Sequence, residues 1–366
     1  MSSTLEHLRA LAVSGSLGRK TTLRKVVDRL GFVQYDPVRR PARAQDLILH
    51  QRVAGYRAGD LDRRYQELGL DEDHLHVYGA MPASVSRVLH PRLTRSNAKY
   101  EPSGLCADVF AMVVERGPTH PSDLTQRFGR VSAANDWGGR SAATTRALEE
   151  LHFYGLLRVL HRDNGTKVYE PAAHEPQHHS ARERVRLVAL LIGRALAPIS
   201  EGSLRSTVAQ YCHNSRVAQS GREAVDQLIH DDMLRVRVVD GVRYLSPPGF
   251  RIRGAEQPRE VRFVAPFDPI VWDRQRFEHL WGWQYRFEAY MPAAKRRFGY
   301  YALPLFWGHD AIGWVNCERT AAGSLAVSRN FIDGFAPTRL FKGAFDVEVS
   351  RMESMLDTMT RGKVAR

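Results

Sequence analysis

Cysteine is scarce in this chain, and its placement rules out two kinds of scaffold. The three cysteines, Cys106, Cys212 and Cys317, lie far apart and none belongs to a CxxC pair. Neither a zinc ribbon nor a disulfide framework is indicated, and a reducing cytoplasm fits. Long apolar runs are also missing. Nothing approaches the ~18 consecutive apolar residues of a membrane span, and MSSTLEHLRALAVSGSLGRK lacks the apolar core of a signal peptide. The expectation is a soluble cytoplasmic protein with no membrane partner. The familiar enzyme signatures are absent too: there is no GxGxxG after a strand, no GxxxxGKS/T, no HExxH and no GxSxG. His174, His178 and His179 fall in the polar stretch 172–181 without a carboxylate or cysteine at ligand spacing. That stretch reads as a solvated interdomain linker, and no metal or organic cofactor is expected. Acidic residues are in deficit, 40 against 53 Lys+Arg, a formal excess of +13. A cationic surface of this kind favours a polyanionic partner, because each cation near a phosphate releases condensed counterions.

What is present begins with an internal repeat. At 366 residues, 43% of them hydrophobic, the chain is long enough for two to four domains. Residues 147–171, ALEELHFYGLLRVLHRDNGTKVYEP, align with 224–247, AVDQLIHDDMLRVRVVDGVRYLSP. Leu151 matches Leu228, Leu157-Arg158-Val159 matches Leu234-Arg235-Val236, Gly165 matches Gly241, and Pro171 matches Pro247. Each copy reads as a helix followed by a hairpin. Ala147, Leu148, Leu151 and Tyr154 recur at helical spacing, and Leu234, Val236 and Val238 alternate with Arg235 and Arg237. Asn164-Gly165 and Asp240-Gly241 supply the positive φ angles of tight turns. Two further helices precede each copy, around 104–115 and 122–128, then around 181–197 and 201–212. Three helices and a hairpin describe a winged helix, a helix-turn-helix variant whose third helix can enter the major groove. The same module also binds proteins, so the basic exterior tilts the choice toward DNA. Arg140 and Arg146 flank the first candidate recognition helix, and Arg216 and Arg222 precede the second. Arg162, Lys167 and Arg243 sit on or near the wings.

The two ends differ in texture. Residues 1–100 read as a divergent third unit, with helices marked by Leu5, Leu8, Leu11 and Ala12, by Leu23, Val26, Val27 and Leu30, and by a run from about Ala42 to Val53. Segments 101–173 and 181–250 are the two repeat units. From 258 to 366 short aromatic segments (262–268, 286–290, 298–303 and 311–315) suggest strands of a compact β-barrel, closed by a helix at about 338–360. The expected class is α+β, tandem winged helices followed by a barrel-like domain.

One short segment carries possible chemistry: Gly31-Phe32-Val33-Gln34-Tyr35-Asp36-Pro37-Val38. In an extended chain Gln34 and Asp36 point to one side and Tyr35 to the other. An amide and a carboxylate side by side, next to Arg39, Arg40 and Arg43, suit the holding of a water near a phosphate backbone. The plainer reading is an Asp that caps the following turn and a Gln that satisfies backbone groups. Spacing alone leaves both open.

The Gln34-Tyr35-Asp36 pattern resembles the Gln-x-Asp motif of the winged-helix DNA glycosylases of the AlkZ/YcaQ-like group. The stretch 39–46 lies where that group has an arginine-containing helix. The blocks Pro266–Arg274 and Tyr290–Tyr301, the latter with Lys295, Arg296 and Arg297, carry the most specific likeness. The resemblance spans nearly the whole chain and implies three winged-helix units cradling double-stranded DNA, then a barrel. Asp36 places the sequence with the Asp branch, which implies a broader substrate range. Val33 departs from the small hydroxyl residue that often precedes the motif. The implied reaction is hydrolysis of the N-glycosidic bond of cationic N7-alkylated purines by a monomeric, monofunctional enzyme, with unhooking of interstrand crosslinks as an extension. Asp36 would activate the water, Gln34 would orient it, and the basic residues Arg39, Arg40, Arg43, Arg140, Arg146, Arg222, Lys295, Arg296 and Arg297 would hold DNA. A non-catalytic tandem winged-helix regulator accounts for charge and repeats equally well, but gives no reason for Gln34 and Asp36 to share a face.

Overall fold

The computed structural model describes residues 4–94, 96, 98–129, 132–134, 140–173, 179–217, 220–251, 260–320 and 323–357. These residues form an α+β structure divided into two compact units. One comprises residues 1–61, 190–206 and 225–366; the other comprises 62–189 and 207–224. The second repeat copy therefore contributes to both.

The first unit begins with the helix Leu5–Ser16, capped by the Thr4 side chain, which accepts from His7 N. Its buried residues include Leu8, Leu11 and Ala12, the periodic set read from sequence. The next helix, Leu23–Leu30, stops at Gly31, which sits at φ 65° where a side chain would be strained. The third is shorter than its apolar pattern suggests, spanning Ala44–His50. Arg52, which falls inside that apolar pattern, lies just beyond the helix and is fully buried. Its guanidinium forks onto Asp268, with Nη1 and Nη2 donating at 2.6 and 2.8 Å, and also bonds the Ser16 and Ile48 carbonyls. Asp268 in turn caps the short helix Pro269–Trp272. This planar, bidentate pairing is one that a lysine could not reproduce.

The N-terminal helices and the C-terminal segment share one core. Leu8, Leu11, Val13 and Leu17 pack with Val264, Ile270, Phe277, Leu280 and Phe306, and with Tyr244 of the second hairpin. Across this unit runs a four-stranded antiparallel sheet in the order Val261–Phe263, Leu303–Trp307, Asp310–Arg319, Leu325–Phe331. The helix Arg339–Leu356 buries Phe341, Phe345, Met352 and Met355, and Phe345 meets Phe263 of the first strand at 5.1 Å.

This sheet departs from the expected strands. Residues 286–290 form no strand, and 298–303 reaches the sheet only at Leu303. Glu288 is buried and its carboxylate accepts from the backbone of Phe298 at 2.8 Å and of Gly299 at 3.4 Å. A side chain thus satisfies backbone groups that a strand would have paired in a ladder.

In the second unit the first repeat copy folds as its pattern suggests. Helices Leu105–Arg116, Pro121–Phe128 and Ala143–Phe153 precede the hairpin Leu157–Asp163/Thr166–Pro171, with Asn164 and Gly165 at φ 49° and 91°. Val109, Val113, Leu124, Leu148, Leu151, Val159 and Tyr169 form its core. The other copy has helices Ala181–Ala195, Glu201–Ser215 and Gly221–His230 and the hairpin Arg235–Val239/Val242–Ser246, joined by the short strand Ile199–Ser200. Among the described residues no helix is long and apolar enough to cross a membrane.

Candidate active site

Period-2 alternation holds across the Gln34–Asp36 segment. Val33 and Tyr35 are buried in the unit's interior, whereas Gln34 and Asp36 are half-buried on the other side. Val33–Gln34 is a two-residue strand and Asp36 lies just past it. Phe32, buried as well, anchors the segment immediately after Gly31 turns the chain out of its helix.

Asp36 does part of what the plainer reading proposed. Its Oδ1 accepts the Val38 N–H at 2.9 Å, the local bond of an Asx turn. That bond leaves Oδ2 over. Burial pushes the Asp36 pKa above the ordinary carboxylate value, against the opposing pull of the Val38 N–H. Gln34 does not satisfy backbone groups as that reading required, for its Oε1 is buried without a protein partner.

Far along the chain, Tyr301 is 4% exposed and its hydroxyl is also buried without a protein partner. Its ring is held edge-on by Phe287 at 5.4 Å and Phe267 at 6.3 Å. Its phenol is raised well above its usual pKa, first by burial and then by the negative charge of Asp36. Tyr301 lines an open pocket of about 540 Å³ together with Arg40, Tyr300, Asn316, Glu318 and Ser328. Gly299 is required there: at φ 122°, a Cβ would sit 2.3 Å from Asn316 Oδ1. On the rim, the guanidinium groups of Arg40 and Arg296 lie over the Tyr300 ring at 5.7 and 5.1 Å. Arg40 also approaches Glu318 at 3.5 Å. Tyr290, in the same loop as Arg296, is 84% exposed.

The basic residues sort unevenly. Arg39, Arg40, Lys295 and Arg297 are exposed, and Arg296 is half-buried. Arg43 is drawn inward, its side chain 11% exposed and paired with Asp46 at 3.1 Å. In the other unit Arg222 is exposed in the first turn of Gly221–His230, and Arg146 is half-buried on Ala143–Phe153. The side chain of Arg140 lies outside the described residues. Two wing cations do not face solvent as free charges. Arg162 forks onto Glu72 at 2.7 and 2.6 Å, and the Lys167 ammonium sits 3.9 Å from the Tyr78 ring centre, its pKa lowered by burial. Arg243 pairs with Glu201 at 2.7 Å, and Arg216 donates to the Tyr154 hydroxyl at 2.7 Å. Among the described residues no three His, Cys, Asp or Glu side chains group as metal ligands; His174 and His178 lie outside them.

In the sequence Tyr301 stands only as part of the 290–301 block, and nothing there marks a role for Tyr300, Asn316 or Glu318. The doubled tyrosine before an apolar strand was the one available signal.

Two comparisons bear on this arrangement. The solved structure of the Streptomyces sahachiroi DNA glycosylase AlkZ superposes on 97% of this chain and 99% of its own with a TM-score of 0.64, at 14% identity. The family described as DNA glycosylase AlkZ-like matches residues 27–355, which include the Gln34–Asp36 segment and the Tyr301 pocket. The chain belongs to the AlkZ-like DNA glycosylase family.

Proposed function

We propose that this DNA glycosylase hydrolyses the N-glycosidic bond of cationic N7-alkylated purines in double-stranded DNA, with Asp36 and Gln34 as its catalytic residues. The observation that carries the reading is the pairing of a half-buried carboxylate with an unpartnered buried amide oxygen on one side of one short segment. Alkylation at N7 puts a positive charge on the purine and makes it a good leaving group without protonation. The enzyme then has to supply a nucleophile and a counter-charge for an oxocarbenium-like transition state, the logic of a glycosidase with one carboxylate. Asp36 Oδ2 accepts the proton of the attacking water and its charge opposes that of the sugar. Gln34 Oε1 takes the water's second proton as a hydrogen bond and sets its direction. The step needs no metal or organic cofactor.

An interstrand crosslink formed through N7 presents the same cationic leaving group, so unhooking is the same bond cleavage repeated on a bulkier substrate. The exposed Arg39, Arg40, Lys295 and Arg297, with Arg222 and Arg146 in the other unit, would hold phosphates. The two repeat copies would act as winged helices, residues 1–100 as a third such unit and 258–366 as the barrel-derived module, together binding as a monomer. No lysine neighbours the motif in sequence, for Lys25 precedes it by a helix and the next is Lys99. The expected product is an intact abasic strand, and borohydride should trap no covalent adduct. The deciding experiment is base release from duplex carrying N7-methylguanine, with a crosslinked duplex beside it. Binding without release from either would favour a non-catalytic DNA-binding protein.

A further inference from the structure

Another cavity of the first unit, of about 280 Å³, is lined by charge of one sign. Lys20, His50, Arg57 and Arg351 all line it, and among the described residues no aspartate or glutamate does. Such a gathering is unfavourable by itself, because like charges around one cavity repel. The backbone nevertheless holds it together. Thr21 N–H donates to the Arg52 carbonyl and Ala54 N–H to the Thr21 carbonyl, both at 3.0 Å, so the residue after Lys20 is fixed against the loop that follows His50. At the far end of that loop Ala58 N–H donates to the Met355 carbonyl at 3.0 Å, tying it to the helix that carries Arg351. Between these ties Tyr56 Oη donates to Asp46 at 3.0 Å, and Gly55 turns the chain at φ 62° with open space where a Cβ would stand.

The nearby buried carboxylate of Glu348 does not balance the lining. Gln51 Nε2 donates to it at 2.6 Å and Arg351 Nη1 lies 2.8 Å from it, so its charge is taken by Arg351. Lys20 and Arg57 are left without an acidic side chain in the lining to offset them. His50 is only 4% exposed, and its Nε2, 3.5 Å from Glu348 Oε1, makes no hydrogen bond within the protein. A buried nitrogen of this kind is costly unless something else completes it.

We propose that this cavity binds a phosphate group, with Lys20 and Arg57 as its countercharge, Arg351 beside them and His50 Nε2 as a further donor. The donors converge from separate segments. A tetrahedral anion offers oxygens in several directions, whereas a carboxylate offers two in one plane. The phosphate comes either from the DNA backbone or from a small phosphorylated molecule.

The test compares the full-length wild type with Lys20→Ala/Arg57→Ala, using inorganic phosphate and a short undamaged duplex as separate probes. Phosphorus NMR should show the wild type binding inorganic phosphate and the pair binding it about tenfold more weakly, the loss of charge-assisted hydrogen bonds. If the phosphate belongs to DNA, duplex affinity falls about tenfold as well, and the slope of log affinity against log salt drops by about 1. If it belongs to a small molecule, phosphate binding is lost while duplex affinity and slope stay at the wild-type values. A wild type that binds no inorganic phosphate would overturn the proposal, and so would a double variant that binds it as well as the wild type, whatever the duplex does. Should the pair melt lower, Arg57→Gln alone repeats the comparison at an exposed position, where substitution disturbs folding least. Base release is not read, so the outcome is independent of the role assigned to Asp36.

Discussion

Replacing Asp36 by asparagine separates chemistry from structure more cleanly than any other change in this protein. Asparagine keeps the oxygen that accepts the Val38 N–H at 2.9 Å, so the turn survives. It removes the negative charge, and with it both the base and the counter-charge that the proposed mechanism assigns to Asp36. Loss of a positioned general base slows reactions by roughly 10²- to 10⁴-fold, which is about 2.7–5.4 kcal/mol of barrier. Stability should move the other way. Burial raises the Asp36 pKa, so holding the ionised form in the folded protein is unfavourable near neutral pH, and a neutral amide relieves this. Asp36→Ala gives the contrast: it loses the turn as well, about 0.5–1.5 kcal/mol for one hydrogen bond. Single-turnover release of N7-methylguanine, a thermal melt and duplex affinity would be measured for both. The expected pattern is an inactive, DNA-binding Asn variant that melts above the wild type at neutral pH, and an inactive Ala variant that is less stable than the Asn variant. An Asn variant with wild-type release, or one that unfolds as readily as Ala, would refute the reasoning.

Other expectations follow from the same geometry. Release should rise with pH through an acid limb shifted upward from the ordinary aspartate value, because the proposed mechanism needs Asp36 ionised and burial raises its pKa; this is read from the pH–rate profile. With the folded pKa raised, the group's stabilising contribution is present at acid pH and is lost as pH rises through that value. The Asn variant should therefore gain melting temperature on wild type between acid and neutral pH. Affinity for undamaged duplex should fall steeply with salt and vary little with sequence, as titrations at several ionic strengths would show, because it rests on phosphate contacts. Arg52→Ala leaves Asp268 buried and unpaired, and denaturant unfolding should report a loss of about 3–5 kcal/mol.

The parts legible in the sequence were those governed by neighbours along the chain. Apolar spacing located the helices at Leu5–Ser16 and Leu23–Leu30, and Asn164-Gly165 and Asp240-Gly241 marked the hairpin turns. The shared side of Gln34 and Asp36 was legible for the same reason, since a period of two needs only adjacent residues. What escaped depends on partners far away. Arg52 looks like a helix-surface cation until Asp268, 216 positions later, is placed against it. Arg162 and Lys167 look like wing charges until Glu72 and Tyr78 take them in. The aromatic stretch 286–290 has the composition of a strand, yet Glu288 turns inward to serve Phe298 and Gly299. Tyr300 is only an aromatic beside an apolar strand until Arg40, far earlier in the chain, is placed over its ring.

The core shared by the two ends of the chain bears on synthesis as well as stability. A ribosome releases the Gln34–Asp36 segment early, but Leu8 and Leu11 have no Ile270 or Phe277 to pack on, and Arg52 no Asp268. Until those residues emerge, the nascent chain carries the Gln34–Asp36 segment without the core that supports its unit. A product cut short before that point therefore lacks the partners of Leu8, Leu11 and Arg52, and should release no base.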